Sequence, residues 1–452
     1  MAHPSDPIAL VLFWVTVIFS LGMLGRYLAQ RFQQPGVLGE LLMGIFLGNI
    51  CYYFCIPEMV ILREGSTIFN VVGHLIDGLS LSQSLKSTVS SPTSAAMIES
   101  ALRSPSGADG IKVAYALDIF SRYGVIFLLF MVGLESSVEE IKQTGRASLR
   151  VALLGVIAPL ILGFILMSWL LPKATFSAHL FVGATLTATS VGITARVLKE
   201  MHKINTIEAK TILGAAMIDD VLGLMLLAVV SSLVSHGHVQ GILLAKIVLM
   251  TMLFFGLVLY IGPKFVRLLV KCFQFLPAWE SKLLVAFIFS MLLSWLATLV
   301  QLASIIGAFS AGLVLHDAFF SEKSSEKNLS IKDVMAPLEL LLAPLFFMLI
   351  GIQVKLETFL DIQVLWMALG LIFVAILGKL FSGLGAGRGS HKLLIGVGML
   401  PRGEVGLVFA SLGRASGVIS DALFSAIILM VIMTTLIAPV WLKSLFTKKR
   451  AT

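Results

Sequence analysis

Long apolar runs separated by short polar connections are the dominant pattern of this 452-residue chain. Most runs have the length that an α-helix needs to cross a bilayer, about 20 residues, although several are short or interrupted by Gly and Pro. We count about thirteen such segments, at approximately 7–28, 37–57, 118–135, 148–171, 178–198, 207–235, 241–273, 279–301, 303–319, 335–354, 362–387, 392–414 and 420–446. The pattern predicts an all-α polytopic membrane protein with about 13 transmembrane helices.

Composition agrees with this interpretation. Hydrophobic residues make up 58% of the chain and charged residues 13%, and the mean hydropathy is +0.98. A soluble domain carries about 25% charged residues, so a soluble protein is excluded. The formal net charge of +8 is spread over loops and helix ends. It therefore indicates membrane topology and gives no reason to expect a nucleic-acid partner.

The basic residues alternate from one connection to the next. By the positive-inside rule the basic connections face the cytoplasm, which places the N-terminus outside and the C-terminus inside. The first apolar run lacks a basic leader and a cleavage site, so we interpret it as a retained helix. The basic sets are Arg26 and Arg31; Lys142, Arg146 and Arg150; Arg196, Lys199, Lys203 and Lys210; Lys264, Arg267 and Lys271; Lys323, Lys327 and Lys332; Arg388 and Lys392; and Lys448, Lys449 and Arg450.

One long polar insertion interrupts the apolar series, at about 58–117. It is rich in Ser, Pro and Gly around 82–94 and 104–110. This composition predicts an exposed extracytoplasmic loop, with room for a short surface helix. We assign it no chemistry.

The chain contains an internal repeat. Residues 37–47 match 305–315, and residues 127–135 match 345–353, with glycines in register in both cases. The matched helices lie seven apart, and because seven is odd the two copies have opposite orientations. Inverted repeats are typical of secondary transporters, whose ion sites lie near the midplane between the copies.

Two adjacent carboxylates, Asp219 and Asp220, lie near the middle of one apolar run. A carboxylate at the centre of a membrane helix costs roughly 2.5–3.5 kcal/mol on insertion scales. A purely structural ion pair would need one acid and not two in succession. Intramembrane ionisable residues mark ion or proton pathways by default, and we interpret the pair in this way.

Two membrane segments carry the composition of broken helices. Residues 183–194 hold five hydroxyls and two glycines, among them the candidate ligands Thr189 and Ser190. Residues 396–406 hold four glycines and a proline, together with Arg402 and Glu404 as a possible gate or neutralising pair. Hydroxyls and freed carbonyls at such a break coordinate cations, and paired breaks point to a transport site. Small-residue helix packing is the simpler alternative for residues 183–194.

Lys379 is the other isolated charge within an apolar run. It lies too deep in its segment to reach the interface easily, although a snorkelling lysine is the alternative. A buried ammonium group needs a carboxylate partner. The candidates are Asp219 and Asp220.

The motifs together resemble the monovalent cation:proton antiporter superfamily. The adjacent aspartates and Lys379 are similar to its electrogenic bacterial sodium/proton antiporter branch, and the resemblance covers nearly the whole chain except the insertion. The matching sequences are Pro35-Gly-Val-Leu-Gly-Glu-Leu-Leu-Met-Gly, Phe127-Leu-Leu-Phe-Met-Val-Gly-Leu-Glu, Thr187-Ala-Thr-Ser-Val-Gly-Ile-Thr, Ile218-Asp-Asp-Val-Leu-Gly and Pro401-Arg-Gly-Glu-Val-Gly-Leu.

The resemblance implies a residue-level assignment. Asp220 would be the main ion-binding carboxylate, with Na⁺ held at Asp220 and Asp219, and Asp219 would pair with Lys379. It also implies one sodium/proton exchanger domain over 1–452 with two crossed discontinuous helices. Its expected parts are dimer or scaffold helices at 7–57, 118–135 and 279–354, core transport helices at 148–235 and 362–446, and a linker helix at 241–273.

The expected activity is exchange of a monovalent cation for protons by an elevator-type mechanism, in a homodimer of the bacterial inner membrane. We expect no enzyme activity, no cofactor and no nucleotide-binding regulatory domain, since few residues follow Leu445. The alternatives are a K⁺/H⁺ antiporter, a sodium-coupled organic-anion carrier, an ion channel and an intramembrane aspartyl protease. The protease would need its two carboxyls on facing helices, and these two are neighbours on one helix.

Overall fold

The computed structural model describes residues 7–32, 34–88, 92–135, 145–190, 193–194, 197–198, 201, 203, 206–236, 241–300, 302–320, 329–387 and 389–448. Apart from short 3₁₀ turns, the regular structure of these residues is α-helical, and they contain no strand. The helices are α1 (Pro7–Arg31), α2 (Gly36–Tyr53), α3 (Pro57–Glu64), α4 (Ser66–Ile76), α5 (Leu81–Thr88), α6 (Pro92–Arg103), α7 (Gly107–Glu135), α8 (Arg146–Leu170), α9 (Phe176–Thr185), α10 (Ile207–His236), α11 (Gly241–Cys272), α12 (Ala278–Leu299), α13 (Ser304–Val314), α14 (Ile331–Ile352), α15 (Ile362–Ser382), α16 (Lys392–Gly398), α17 (Glu404–Ala415) and α18 (Asp421–Lys448).

Ten helices in the described part of the chain are long and apolar enough to cross a membrane, and three shorter apolar helices accompany them. Each apolar segment predicted from the sequence overlaps at least one helix; the segment at 178–198 overlaps α9 only over 178–185, and the segment at 392–414 is divided between α16 and α17. The predicted all-α, multi-pass membrane protein is therefore confirmed.

The chain folds into two compact units. The first comprises Met1–Gly124, Leu340–Val364 and Ser420–Ser425, and the second comprises Val125–Glu339, Leu365–Ile419 and Ala426–Thr452. The boundaries fall inside continuous helices, including α7 and α18.

The insertion at 58–117 differs from the exposed loop that its composition predicts. It is folded into helices α3 to α6 and the beginning of α7. Met59, Ile61 and Val71 are completely buried in the core of the first unit, together with apolar residues of α1 and α14. The many Ser, Pro and Gly residues obscure the apolar positions of these short helices, and those positions are what bury the segment.

The internal repeat has a direct packing counterpart. In the first unit, a Cβ on Gly44 of α2 would lie 2.4 Å from the Met348 carbonyl oxygen and 3.0 Å from the Gly351 Cα of α14. In the second unit, a Cβ on Gly312 of α13 would lie 2.1 Å from the Phe130 carbonyl oxygen of α7. The repeat aligns Gly44 with Gly312 and the α14 segment with the α7 segment. The same backbone-to-backbone contact, possible only without a side chain, is thus made twice, each time between a helix of one copy and a helix of the other.

Close packing around α8 positions the helices of the second unit. A Cβ on Gly183 of α9 would lie 2.6 Å from the Leu160 carbonyl oxygen of α8. A Cβ on Gly378 of α15 would lie 2.8 Å from Cα of Pro159, which lies inside α8. The glycines let α9 and α15 approach the α8 backbone, which brings the polar groups of α15 toward those of neighbouring helices.

Candidate ion-binding site

The first predicted break lies where α9 ends. The helix stops at Thr185, and residues 188–190 have no regular structure. The Thr185 hydroxyl donates to the Phe181 carbonyl at 2.9 Å and the Thr187 hydroxyl to the Ala184 carbonyl at 2.8 Å. Both threonine hydroxyls thus bond back to carbonyls of the last turns of α9, so these buried side chains have partners where the backbone leaves helical geometry.

The second predicted break separates α16 from α17. Residues 399–403 are not helical, and Pro401 in the middle of them has no backbone N–H to donate. α17 begins at Glu404. Both interruptions that the sequence predicts are thus present.

The two breaks contact each other directly. The Ser190 N–H donates to the Pro401 carbonyl at 2.9 Å, and the Thr194 hydroxyl donates to the Gly398 carbonyl at 2.7 Å. A Cβ on Gly403 would lie only 2.7 Å from the Ser190 Cβ. Backbone groups freed by one break therefore find partners at the other.

Arg402 ties three elements of this region together. Its guanidinium is fully buried and donates to the Ala188 carbonyl at 2.6 Å and, more weakly, to the Ala375 carbonyl of α15 at 3.4 Å. Its own carbonyl accepts a hydrogen bond from the Thr435 hydroxyl of α18. The side chain of Glu404, the expected partner of Arg402, lies outside the described residues.

Lys379 of α15 and Asp219 of α10 form a buried ion pair. The lysine Nζ lies 3.0 Å from Asp219 Oδ2 and 3.3 Å from Oδ1, and the two side chains are 0% and 1% exposed. Gly155 of α8 lies beside the pair. A Cβ at this position would lie 3.5 Å from the lysine Nζ, which is an ordinary van der Waals distance. This is the pair that the family resemblance implies.

Asp220 and Thr189 complete the set of predicted site residues. Asp220 is buried, with 4% of its surface exposed, and it follows Asp219 on α10 at a rotation of about 100°. A Cβ on Gly223, one turn further along α10, would lie 3.9 Å from the Thr187 hydroxyl of the first break. The Thr189 side chain is also buried, and its hydroxyl lies 3.5 Å from the Met399 carbonyl of the second break.

The fold thus collects two carboxylates, an ammonium group, hydroxyls and non-helical carbonyls within the second unit. The described residues contain no cluster of three or more His, Cys, Asp or Glu side chains that could hold a metal ion. Oxygen ligands from carboxylates, hydroxyls and backbone suit a hard cation.

Sequence reasoning missed some contributors to this region. Ala188 and Ala375 act through backbone carbonyls, for which a side chain gives no signal. Thr435 follows Thr434 in the middle of the apolar helix α18. Two successive hydroxyl side chains in an apolar helix are the sequence feature that could have identified this contributor.

Comparison with known proteins decides the family. Residues 16–448 match the family model described as "Sodium/hydrogen exchanger, transmembrane". This chain belongs to that family. Its members are monovalent cation/proton antiporters, and the predicted superfamily is confirmed.

Two relatives and one solved structure illustrate the similarity. The chain is 35% identical to the high-affinity Na⁺/H⁺ antiporter NhaS3 of Synechocystis sp. over 449 residues, covering 96% of this chain and 90% of that protein. It is 34% identical to the Na⁺/H⁺-K⁺ antiporter GerN of Bacillus cereus, covering 75% and 86%. The fold is similar to that of the sodium proton antiporter MjNhaP1 from Methanocaldococcus jannaschii, with a TM-score of 0.59, 17% identity and 98% coverage of both chains.

Proposed function

We propose that this exchanger moves Na⁺ in one direction and protons in the other, electrogenically, with Asp220 as the main ion-binding carboxylate. The observation that carries the proposal is the buried Lys379–Asp219 pair immediately beside Asp220. A buried ammonium group with a single carboxylate partner loses its stabilisation when that carboxylate is recruited elsewhere.

The exchange follows from competition for the acidic groups. A proton and a cation compete for the same carboxylate oxygens of Asp220, so the binding of one displaces the other. An arriving cation takes the proton's place on Asp220 and draws Asp219 away from Lys379, whose ammonium then releases a second proton. Two protons for one monovalent cation transfer net charge across the membrane.

The broken helices support an alternating-access mechanism of the elevator type. Interrupted helices in corresponding halves of an inverted repeat are typical of transporters whose binding site is carried by a mobile bundle. The proposed mobile helices include those around 178–235 and 362–446, and the proposed assembly is a homodimer in a bacterial inner membrane.

Proteoliposomes provide the direct test. A pH jump is applied with Na⁺, Li⁺ or K⁺ outside, with and without valinomycin and K⁺ to clamp the potential. We expect cation-dependent proton flux that falls at acid pH, and an apparent cation affinity that rises with pH because fewer protons compete. Proton flux that is independent of every cation would contradict the proposal.

A K⁺/H⁺ exchanger is the second candidate. The relative GerN is named as an Na⁺/H⁺-K⁺ antiporter, and carboxylate and hydroxyl oxygens bind either ion. The arms without valinomycin and added K⁺ separate the two, since K⁺ alone would then drive the proton flux.

A further inference from the structure

The insertion at 58–117 contributes two adjacent, opposite buried charges to the first compact unit. Arg63 and Glu64, at the end of α3, are 1% and 3% exposed. Their partners come from α2, from the connection after α14 and from the start of α18. None of these residues belongs to the site described above, so the ionic cluster needs a separate explanation.

Within this cluster, Arg63 makes a hydrogen bond, an ion pair and a cation–π contact. Arg63 donates to Asn49 Oδ1 at 2.8 Å, forms an ion pair with Glu357, and lies with its guanidinium carbon 3.9 Å from the ring centroid of Tyr52. Asn49 in turn donates to the Val354 carbonyl at 3.0 Å. These bonds fix α3 to α2 and to the connection that follows α14.

Lys355, the other basic residue of the cluster, contacts two carboxylates. The Lys355 Nζ lies 2.9 Å from Glu64 Oε2 and 2.8 Å from Asp421 Oδ2. Glu64 is buried, whereas Asp421 is 37% exposed. Lys355 therefore bridges one buried carboxylate and one that has access to solvent.

We propose that Lys355 and Asp421 form a reversible ionic latch, closed in this structure, that opens and closes as the exchanger alternates between its two access states. The inference rests on the exchange function proposed above. It assigns to the insertion the role of supplying Glu64, the carboxylate that keeps Lys355 neutralised when Asp421 leaves.

The charges allow the latch to open at low cost. Removing the sole partner of a buried ammonium group is strongly destabilising, but Lys355 retains Glu64 when Asp421 departs. Asp421 lies in the first turn of α18, where the helix dipole and solvent stabilise a carboxylate. A partly exposed ion pair is also weak enough to exchange rapidly.

Helix α18 connects the latch to the ion-binding region. Asp421 is its first residue, and Thr435, fourteen positions later, donates to the Arg402 carbonyl at the second break. Because both residues belong to one continuous helix, we expect a change at Asp421 to reach the second break through α18.

The test measures cation affinity separately from the two sides of the membrane. A closed latch stabilises one access state, so its loss shifts the population toward the other. In Asp421→Asn we expect the apparent KM for the transported cation to rise on one face and fall on the other, each by up to about five-fold, as for a weak ion pair. Right-side-out and inverted membrane vesicles give the two values.

Matched variants separate the latch from general damage. Asp361→Asn makes the same chemical change at an exposed carboxylate that accepts a hydrogen bond from the nearby Gln363 N–H, and both KM values should match the wild type. Asp421→Ser should reproduce the Asp421→Asn effect, and Asp421→Glu should retain wild-type values. Thermal melting in detergent confirms folding of each.

The outcomes are distinguishable. If wild type exchanges a cation for protons and Asp421→Asn changes neither KM, or changes both in the same direction, the latch is wrong while the proposed function stands. If wild type shows no cation–proton exchange at all, the proposed function fails and the latch fails with it.

Discussion

At the residue scale, Asp220 is the carboxylate on which the proposed chemistry depends. Asp220→Asn removes the negative charge and the exchangeable proton while keeping the shape of the side chain, so we expect exchange to be abolished with the protein still folded. Cation-dependent proton flux in proteoliposomes and thermal melting provide the two measurements. Proton flux that persists in this variant would rule out Asp220 as the ion-binding group.

Lys379 allows a separate test of the charge carried per cycle. Lys379→Gln removes one proton from the cycle, and we expect slow or electroneutral exchange. The measurement is the current on a solid-supported membrane after a cation jump. Absence of a wild-type current, alongside clear proton flux in the same vesicles, would refute electrogenic exchange.

A double variant controls for the buried charge that Lys379→Gln leaves behind. Removing one partner of a buried ion pair costs about 3–5 kcal/mol because the other charge is uncompensated. Lys379→Gln should therefore melt at a lower temperature than wild type. Lys379→Gln combined with Asp219→Asn should recover most of that loss. A single variant as stable as wild type would mean that Asp219 is not held as a charged partner.

At the element scale, the repeated glycine contacts fix how the helices of one copy of the repeat pack against those of the other. Gly312→Ala places a Cβ within 2.1 Å of the Phe130 carbonyl oxygen, so the backbones of α13 and α7 must separate. Overpacking of this kind costs about 1–3 kcal/mol, and we expect a lower melting temperature. Gly256→Ala on α11 is the matched control, because its Cβ would meet nothing within 4 Å. Equal melting temperatures for the two variants would contradict the close packing.

At the scale of the whole molecule, two native cysteines report the orientation in the membrane. Cys55 and Cys272 are exposed, whereas Cys51 is buried. The alternation of basic connections predicts that Cys55 lies outside and Cys272 in the cytoplasm. A membrane-impermeant maleimide applied to right-side-out vesicles should label a variant retaining only Cys55, and a variant retaining only Cys272 should require inverted vesicles. The opposite pattern would reverse the proposed topology.

The sequence by itself determined the long apolar helices of this protein. Apolar runs of spanning length predict its helices because a backbone in lipid must satisfy its own hydrogen bonds. Threonines and glycines at 183–194, and glycines with a proline at 396–406, predict the two breaks because those residues weaken or interrupt helices. The isolated Lys379 likewise required a carboxylate partner.

Tertiary structure alone decided which groups meet. Asp219 and Asp220 point about 100° apart on one helix, so only the position of α15 brings Asp219 to within 3.0 Å of Lys379. The bonds from Arg402 go to backbone carbonyls, which every residue has, and therefore leave no mark in the sequence. The insertion's polar composition concealed its buried helices and the Glu64–Lys355–Asp421 contacts, because such long-range pairs depend on packing between segments far apart in the chain.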